Sequence, residues 1–487
     1  MQLFSAKLGQ KAPLEPLVPG KISMYACGPT VYDYIHVGNA RPVIVFDALR
    51  RYLAWRGLDV TFVQNFTDID DKIINRAQKE GVDWQDIAKR FIEEYHTDAK
   101  GLGVHPATMH PLATDNISGM LDAIQTLITK GHAYPLRGDV YFRVESFPNY
   151  GKLSGQPLED LQAGARVEEG VDKENPLDFA LWKAAKPGEP SWDSPWGKGR
   201  PGWHIECTVM VNRHLGKTID IHAGGQDLTF PHHENEIAQS EALNDAPYVR
   251  NWLHNGFLSI DNKKMSKSLG NFFTVRDAAD AYGYDAIRFF MLQSHYRSPL
   301  NYSGEILQGA KHALERLYTA VETLEFHQKT ALDTPPCPAE QTLLDALPAY
   351  HDKFVAAMDD DFNTADAIGH IFTLVRETNR ALGETKTPAK AFVDGALQKI
   401  TELCDVLGLL YDRPKIIYVS RLLKTEFGGR AKLTVIDRNA EIDALIEART
   451  KARAEKNWAE ADRIRDELSA KGIVLEDTPQ GVKWKRG

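Results

Sequence analysis

The feature that most constrains the fold is a regular alternation of apolar strands and amphipathic helices near the start of the chain. A strand pattern over residues 22–27 ends at a Gly-Pro pair, and apolar residues then recur at helical spacing over 41–56. A second strand over 60–64 and a helical run opening at Asp68 repeat the pattern. This order predicts an α/β domain, with a parallel sheet and crossover helices.

A short motif, HVGN at residues 36–39, lies between the first strand and its helix. The N-terminus of a helix offers unpaired backbone N–H groups and partial positive charge, so phosphate can approach there. His36 can donate a hydrogen bond to an α-phosphate, and Gly38 lets a nucleotide come close to the backbone. His36, Gly38 and Asn39 are therefore candidate ATP-binding residues, with His36 also a catalytic candidate. The alternative is an ordinary turn that enters a helix.

A second motif, KMSKS at residues 264–268, follows much later in a predicted loop. Lys264 and Lys267 offer cations for the β- and γ-phosphates of the same nucleotide, which makes pyrophosphate the expected leaving group. Standing alone, such a segment is a solvated loop or a phosphorylation-prone one. Because both motifs occur in one chain in the expected structural context, we interpret them together as an ATP site.

The rest of the chain divides by pattern. Residues 106–200 break the α/β alternation and predict an insertion, after which strands at 218–222 and 251–260 flank a helix that starts near Pro231. From residue 277 onward the pattern is helical, with clear runs at 281–293, 306–324 and 363–382, followed by a strand-like stretch at 415–436, a terminal helix at 441–471 and a tail hairpin. The predicted division is a Rossmann-like catalytic domain at 1–105 and 201–275, a connective insertion at 106–200, a helical bundle at 276–412 and a small C-terminal α+β unit at 413–487.

Composition sets the class of protein. With 487 residues, the chain is long enough for about three domains of ~150 residues. No stretch approaches the ~18 apolar residues of a membrane span, and the first residues lack the apolar run of a signal peptide, so we expect a cytoplasmic location. The net charge of −9 argues against wholesale coating of nucleic acid, although residues 449–487 carry ten Lys or Arg against seven Asp or Glu.

Four scattered cysteines are too few for a disulfide framework. Cys27 ends the first strand, Cys207 follows a glycine-rich stretch, and the segment PHHENE supplies two histidines and two glutamates. If its proline opens a helix, His232 and Glu236 share one face at i and i+4, whereas His233 points elsewhere. Two thiolates, an imidazole and a carboxylate form a reasonable zinc set. The alternative is that both cysteines are small buried hydrophobic residues.

Taken together, the two phosphate motifs resemble the HIGH and KMSKS signatures of class I aminoacyl-tRNA synthetases. Within that class the chain is similar to the cysteinyl-tRNA synthetase family, and the similarity extends over residues 25–481. The blocks that carry it are YACGPTVYDYIHVGNARP, NFTDIDDKI, GWHIECTVM, GGQDLTFPHHENE, KKMSKSLGN and EADRIRDELSAKGIVLEDTPQG.

The resemblance implies a function and a set of roles. The expected reaction is ATP-dependent ligation of L-cysteine to tRNA(Cys) through a cysteinyl-adenylate, with Mg²⁺ accompanying ATP. In that family one zinc, held by two Cys, one His and one Glu, binds the substrate thiolate. The implied ligands here are Cys27, Cys207, His232 and Glu236.

Other roles follow from the same resemblance. Lys264 and Lys267 would clamp the triphosphate. Trp203 would floor the cysteine pocket, with core packing as the alternative, and Thr67 and Asp227 would contact the substrate amino group or the ribose. Thr67 lies in NFTDIDD and Asp227 in GGQDL, and the alternative role for an aspartate in either segment is to cap a helix.

Three features point to tRNA in the C-terminal half. The tetrapeptide DAIR at 285–288 is similar to the DALR signature of anticodon-binding bundles, and Trp458 and Trp484 lie among Lys and Arg residues where they can stack on unpaired bases. Packing of the small domain is the alternative, above all for Trp458. No role is assigned to residues 413–436.

Two rival functions remain. A related ligase joins cysteine to the amino sugar of a mycothiol precursor, but it lacks a final anticodon-recognition unit, which this chain has. A non-catalytic RNA-binding relative would not need His36, the two lysines and all four metal-ligand candidates. We expect a monomer.

Overall fold

The centre of the molecule is a four-stranded parallel sheet. The computed structural model describes residues 1–6, 8–155, 173–260, 263–264, 273–411, 440–470, 473–478 and 481–486. A small antiparallel pair, Gln2–Ser5 and Gln10–Pro13, precedes this sheet. The first strand of the parallel sheet, Lys21–Ala26, has Asp59–Gln64 on one side and Ile219–Gly225, formed about two hundred residues later, on the other, so the predicted α/β sheet is confirmed. In spatial order the strands are Val249–Asn255, Ile219–Gly225, Lys21–Ala26 and Asp59–Gln64.

Successive side chains of the first strand enter different cores. Ile22, Met24 and Ala26 face a core shared with the first helix and the C-terminal helices. Tyr25 and, beyond the strand, Cys27 face a second core that includes the insertion. Successive side chains of a strand point to opposite faces of the sheet, so this pattern is expected for a sheet covered on both sides.

The helices of the first half begin where a side chain caps them. The first runs over Val37–Trp55, four residues earlier than the pattern predicts, because His36 accepts a hydrogen bond from the Asn39 N–H. The next begins at Asp71 under an Asp70 cap, whereas the predicted start, Asp68, is buried and accepts hydrogen bonds from Thr114. The two helices that follow the first are Asp71–Glu80 and Trp84–Gly101.

The insertion forms a sheet of its own. The chain leaves the parallel sheet after Gln64 and returns to it at Ile219, and the described residues between these points contain a four-stranded antiparallel sheet. Two further helices, Trp203–His214 and Glu234–Asn244, cover the same face of the parallel sheet as this insertion. The elements of the insertion are Ile117–Thr129, Ala133–Leu136, Asp139–Phe142, Phe179–Ala184 and Gly199–Pro201.

The predicted strand over 251–260 is interrupted. It divides into Val249–Asn255 and Leu258–Ile260 at Gly256, where a Cβ atom would lie 2.6 Å from the carbonyl oxygens of Arg297 and Ser298. The second piece joins another sheet, antiparallel to Lys263–Lys264 and parallel to Leu300–Tyr302.

The second half of the described chain is mainly helical, as predicted. The predicted run at 281–293 is two helices, because Gly283 at φ +91° breaks it. None of the helices in the described ranges is long and apolar enough to cross a membrane. The helices are Val275–Tyr282, Tyr284–Leu292, Gly304–Gln328, Pro338–Asp359, Thr364–Gly383 and Lys390–Val406.

The C-terminal unit consists of a helical hairpin followed by a β-hairpin. The predicted single helix at 441–471 is two helices, Ala440–Ala454 and Trp458–Ala470, separated by a turn in which Lys456 has φ +57°. The predicted tail hairpin forms between Ile473–Thr478 and Gly481–Arg486. The strand-like stretch predicted at 415–436 lies outside the described residues.

Candidate active site

The HVGN motif is built around the cap of the first helix. His36 has extended backbone angles, and its Nδ1 atom accepts the Asn39 N–H at 3.2 Å. Because Nδ1 is an acceptor, the neutral ring carries its hydrogen on Nε2. Gly38 and Asn39 are half-buried in the first turn of the helix. His36 therefore combines an N–H donor with a helix N-terminus, which suits an anionic ligand.

The HVGN motif is joined through the backbone to the segment that follows the lysine motif. The Val275 N–H donates to the Ile35 carbonyl at 2.9 Å, and the Val37 N–H donates to the Phe273 carbonyl at 3.2 Å. The residues that follow the lysine motif thus pair antiparallel with the residues around His36. Lys264 lies in the short strand Lys263–Lys264, and Lys267 lies outside the described residues.

The four predicted metal ligands come together at the C-terminal edge of the parallel sheet. Cys27 Sγ lies 3.8 Å from Cys207 Sγ and 3.4 Å from Glu236 Oε1. His232 Nε2 lies 3.6 Å from Cys207 Sγ and 3.0 Å from Glu236 Oε1. One atom from each residue falls within 4.8 Å of all the others. The chain continues from Lys21–Ala26 to Asp59–Gln64 on one side, and Ile219–Gly225 joins on the other side. Open α/β sheets bind ligands beyond the carboxyl ends of the strands at such a switch in strand order.

The prediction that His233 points away is wrong. Its Nε2 atom lies 3.4 Å from Cys27 Sγ, and a second group of close ligand atoms comprises Cys27, His222, His233 and Glu236. The spacing argument assumes a regular α-helix, but the α-helix begins only at Glu234, and both histidines lie in a π-helical turn, Thr229–His233, that precedes it. The structure therefore offers two overlapping sets of ligands that share Cys27 and Glu236.

Hydrogen bonds behind the cluster orient its members. His204 Nδ1 lies 2.9 Å from His232 Nδ1, and the Tyr248 hydroxyl donates to Glu236 Oε2 at 3.0 Å. His233 Nδ1 is likewise 2.8 Å from His254 Nε2. Ligating histidines in metal sites use their second nitrogen in this way, so the arrangement fits a metal ion.

Burial changes the protonation of the cluster. It lowers the pKa of His204, His222 and His233 well below the usual value, which keeps these imidazoles neutral. It raises the pKa of Glu236 to about 8.

The two thiols differ. Burial raises the pKa of Cys27, whereas the hydrogen bond from Cys27 lowers the pKa of Cys207 to about 7. Neutral imidazoles and a thiol that ionises near neutrality are forms that bind metal, whereas Cys27 and Glu236, whose pKa values are raised, must each lose a proton as an ion binds. The donor set of two sulfurs, one nitrogen and one oxygen matches the preferences of zinc.

Sequence reasoning missed four residues of this site: Tyr25, His222, Tyr248 and His254. Tyr25 pairs in register with His222, and their rings stack at 5.0 Å. His222 was absent from the predicted set because its position depends on which strands are neighbours, which periodicity does not give. The available signal was that the predicted strand over 218–222 ends in a polar residue.

The three predicted substrate contacts lie in different settings. Trp203 stacks on the His232 ring at 4.1 Å and remains 41% exposed. Thr67 is buried, and its hydroxyl donates to Glu206 Oε2 at 2.8 Å. Asp227 is exposed in a short 3₁₀ helix, Gln226–Leu228.

Comparison with known proteins identifies the family. A family model described as "tRNA synthetases class I (C) catalytic domain" matches residues 13–312, and the "Cysteinyl-tRNA ligase anticodon binding domain" model matches 437–484. Cysteine–tRNA ligase from Clostridioides difficile is 51% identical over 486 residues, covering 100% of both chains. The enzyme from Caldicellulosiruptor saccharolyticus is 52% identical, again over 100% of both chains. The chain belongs to the cysteine–tRNA ligase family.

Solved structures show the same fold for this class I aminoacyl-tRNA synthetase. Mycobacterium tuberculosis methionyl-tRNA synthetase in complex with methionyl-adenylate matches with a TM-score of 0.58 at 15% identity, covering 80% of this chain and 89% of that chain. A putative arginyl-tRNA synthetase from Campylobacter jejuni matches with a TM-score of 0.56 at 13% identity, covering 80% and 93%.

The DAIR tetrapeptide of this synthetase lies outside the matched DALR domain, which spans residues 353–411. Its arginine, Arg288, is fully buried and donates to Asp47 Oδ2 at 2.8 Å and to the Leu407 carbonyl at 3.0 Å. The tetrapeptide therefore connects the first helix to the end of the helical bundle. Of the two predicted stacking residues, Trp458 is 58% exposed, and Trp484 lies on the last strand.

Proposed function

We propose that this synthetase activates L-cysteine with ATP and transfers the cysteinyl group to tRNA(Cys). The observation that carries the proposal is the group of two thiols, one imidazole and one carboxylate, in which half-buried Cys27 follows the strand that leads into the His36 motif and the other three residues are buried. Identity of about half over the full length of cysteine–tRNA ligases supports the same substrates.

We infer that Cys27, Cys207, His232 and Glu236 hold one Zn²⁺ per chain. His232 contacts both Cys207 and Glu236, and its other nitrogen faces His204, as expected for a ligand. When bound, zinc would favour a thiolate substrate over the hydroxyl of serine, because it deprotonates a thiol and prefers sulfur. Selection by such a specific bond can reject an analogue by ~10⁴-fold, so no separate editing step is needed.

In the first step the cysteine carboxylate attacks the α-phosphorus of ATP, and pyrophosphate leaves. His36 donates its Nε2–H to the α-phosphate as negative charge develops there. Lys264 and Lys267 bind the β- and γ-phosphates, and Mg²⁺ enters with ATP. The enzyme contributes position and charge, and no covalent intermediate forms on the protein.

In this proposal Thr67 and Asp227 contact the substrate amino group or the nucleotide ribose. Since the Thr67 hydroxyl donates its hydrogen to Glu206, its lone pairs are left to accept from an ammonium group. Trp203, stacked on His232, forms the floor of the pocket.

In the second step the terminal ribose hydroxyl of the tRNA attacks the cysteinyl carbonyl and displaces AMP. We assign these steps to a catalytic domain at 1–105 and 201–275 with its insertion at 106–200, and tRNA binding to the units at 276–412 and 413–487. The antiparallel sheet between Ala133 and Pro201 supports the assignment of 106–200 as an insertion. The match to an anticodon-binding domain supports the assignment of the last unit to tRNA binding.

Transfer of labelled cysteine to mixed tRNA by the purified protein tests the proposal. We expect acid-precipitable label that depends on ATP and persists in excess serine. An amino-sugar acceptor serves as the control. Adenylate formation with consumption of the sugar and no charging of RNA would contradict the proposal, as would the absence of any cysteine activation.

A further inference from the structure

A short antiparallel ladder sets the position of the His36 motif. Ile35 pairs with Val275, His36 with Thr274 and Val37 with Phe273. Thr274 is itself fixed, because it forms a reciprocal capping box with Asp277 at the start of the helix Val275–Tyr282. The backbone of the phosphate-binding turn thus depends on the segment opposite it.

Side chains extend the ladder by one pair. In the same register Tyr34 lies opposite Arg276, and the Arg276 guanidinium lies 4.7 Å from the centroid of the Tyr34 ring. The Tyr34 ring also meets the Phe91 ring, edge to face, with centroids 5.5 Å apart. A cation over an aromatic ring is attracted to its π-face, so this contact holds Tyr34 against the pairing segment.

Arg276 is anchored on the helix Trp84–Gly101. Its Nε–H donates to Asp98 Oδ1 at 2.9 Å, and its terminal nitrogen pairs with Glu94. Asp98 is fully buried and also accepts from the Tyr284 hydroxyl at 3.0 Å. The helix that holds the guanidinium contains no residue of either nucleotide motif. The guanidinium in turn holds the Tyr34 ring in place.

We propose that Arg276 is a positioning residue for adenylate formation: anchored by Asp98 and Glu94, it holds Tyr34 and thereby places His36 for contact with the α-phosphate. The inference rests on the proposed function, and it assigns a role to a residue outside both nucleotide motifs. Arg276 itself does not touch the reacting atoms.

The role predicts a specific kinetic signature. A catalytic donor displaced by a fraction of an ångström loses transition-state stabilisation while the ground-state complex still forms. Removal of the guanidinium should therefore lower kcat for cysteine-dependent pyrophosphate exchange, with KM for cysteine unchanged. An ordinary surface ion pair would affect neither quantity.

The chain offers a matched control in Arg143. It lies in the insertion, pairs with Glu174 at 2.6 Å and lies 5.1 Å from the centroid of the Tyr134 ring. Arg143→Met thus removes an ion pair and a cation–π contact without touching Tyr34, Phe91 or the ladder. We expect Arg276→Met to lower kcat by about tenfold or more, Arg276→Lys to fall between it and the wild type, and Arg143→Met to match the wild type.

The deciding measurement repeats Arg276→Met in a His36→Ala background. If Arg276 acts through His36, its substitution causes no further loss of kcat there, because the two effects are coupled. The same loss in both backgrounds, or a wild-type kcat for Arg276→Met, would overturn the positioning role alone. Absence of cysteine-dependent exchange in the wild-type protein would overturn the proposed function and this inference with it.

Discussion

At the residue scale, Cys207 distinguishes the two possible sets of metal ligands. Cys27 and Glu236 belong to both sets, whereas Cys207 belongs only to the set that contains His232. The thiol of Cys207 is also the one whose pKa falls to about 7, through the hydrogen bond from Cys27. A substitution at this position therefore reports which set holds the ion.

We predict that Cys207→Ser loses the bound zinc and the preference for cysteine over serine, with ATP binding largely kept. Serine occupies nearly the same volume but supplies a hydroxyl, which is a poor ligand for zinc. Metal analysis of the purified variant, together with pyrophosphate exchange driven by each amino acid, measures both effects.

Cys337→Ser is the matched control, because Cys337 caps the helix Pro338–Asp359 and serine is a favoured cap. It should keep its metal. Full metal content and full cysteine activation in Cys207→Ser would assign the ion to the set with His222 and His233.

The site was predictable from sequence only in part. Spacing selects His232 and Glu236, which do contact each other, because one helical turn separates them. The same argument misplaces His233, since it assumes an α-helix where both histidines lie in a π-helical turn. His222 and Tyr248 could not be found, because strand pairing and packing, not local spacing, bring them to Glu236.

At the element scale, periodicity predicts the type of the elements it identifies within the described residues, but not their ends. Periodicity identifies the first helix, yet its start depends on a hydrogen bond from the Asn39 N–H to the His36 side chain. Two predicted long helices are each divided by one residue with positive φ, Gly283 and Lys456. A break of this kind leaves the apolar pattern on both sides intact, so the pattern alone does not reveal it.

At Gly28 the backbone beyond the strand Lys21–Ala26 lies very close to the backbone beyond the strand Asp59–Gln64. A Cβ atom at this position would lie 1.6 Å from the Asn65 carbonyl oxygen, and the Gly28 N–H donates to Asn65 Oδ1 at 2.8 Å. We expect Gly28→Ala to lower the free energy of unfolding by about 1–3 kcal/mol, because backbone must move. Urea unfolding measures the change.

The same substitution at Gly369 is the control. Gly369 lies within the helix Thr364–Gly383, and a Cβ atom added there would meet no other atom within 4 Å outside its own helical turn. Gly369→Ala should raise stability by roughly 0.5–1 kcal/mol, since alanine loses less backbone entropy in a helix. Equal effects at both positions would contradict the close approach at Gly28.

At the scale of the whole molecule, one core connects the catalytic sheet to the helical bundle. Residues of the first helix and of the C-terminal helices belong to the same buried apolar cluster. The fully buried Asp47–Arg288 pair lies at this junction, and Arg288 also donates to the carbonyls of Leu102 and Leu407. Burial opposes ionisation of Asp47, but the charges of Arg288, Arg51 and Arg50 outweigh it and hold the pKa of Asp47 well below its usual range.

We predict that Asp47→Asn lowers the free energy of unfolding by about 3–5 kcal/mol at pH 7, because it leaves Arg288 buried without a counter-charge. The depressed pKa means that this contribution is complete above the unfolded-state value of ~3.9 and is lost as pH falls further. The difference between wild type and variant should therefore stay constant from pH 7 to about pH 4 and shrink below it.

Thermal unfolding across that pH range measures the difference. The control is Glu460→Gln, which removes an exposed pair with Arg463 and should cause no measurable change. A difference that grows on acidification would contradict the depressed pKa.

The strand order also has a consequence for the nascent chain on the ribosome. Cys27 is synthesised more than two hundred residues before Glu236, and Ile219–Gly225, the strand beside it, is absent for most of that interval. At about 5–20 residues per second, the thiol remains without its partners for roughly ten to forty seconds. For the proposed zinc site, metal capture is therefore a late event in biogenesis, and a translational pause within the insertion lengthens the time during which this cysteine is open to oxidation.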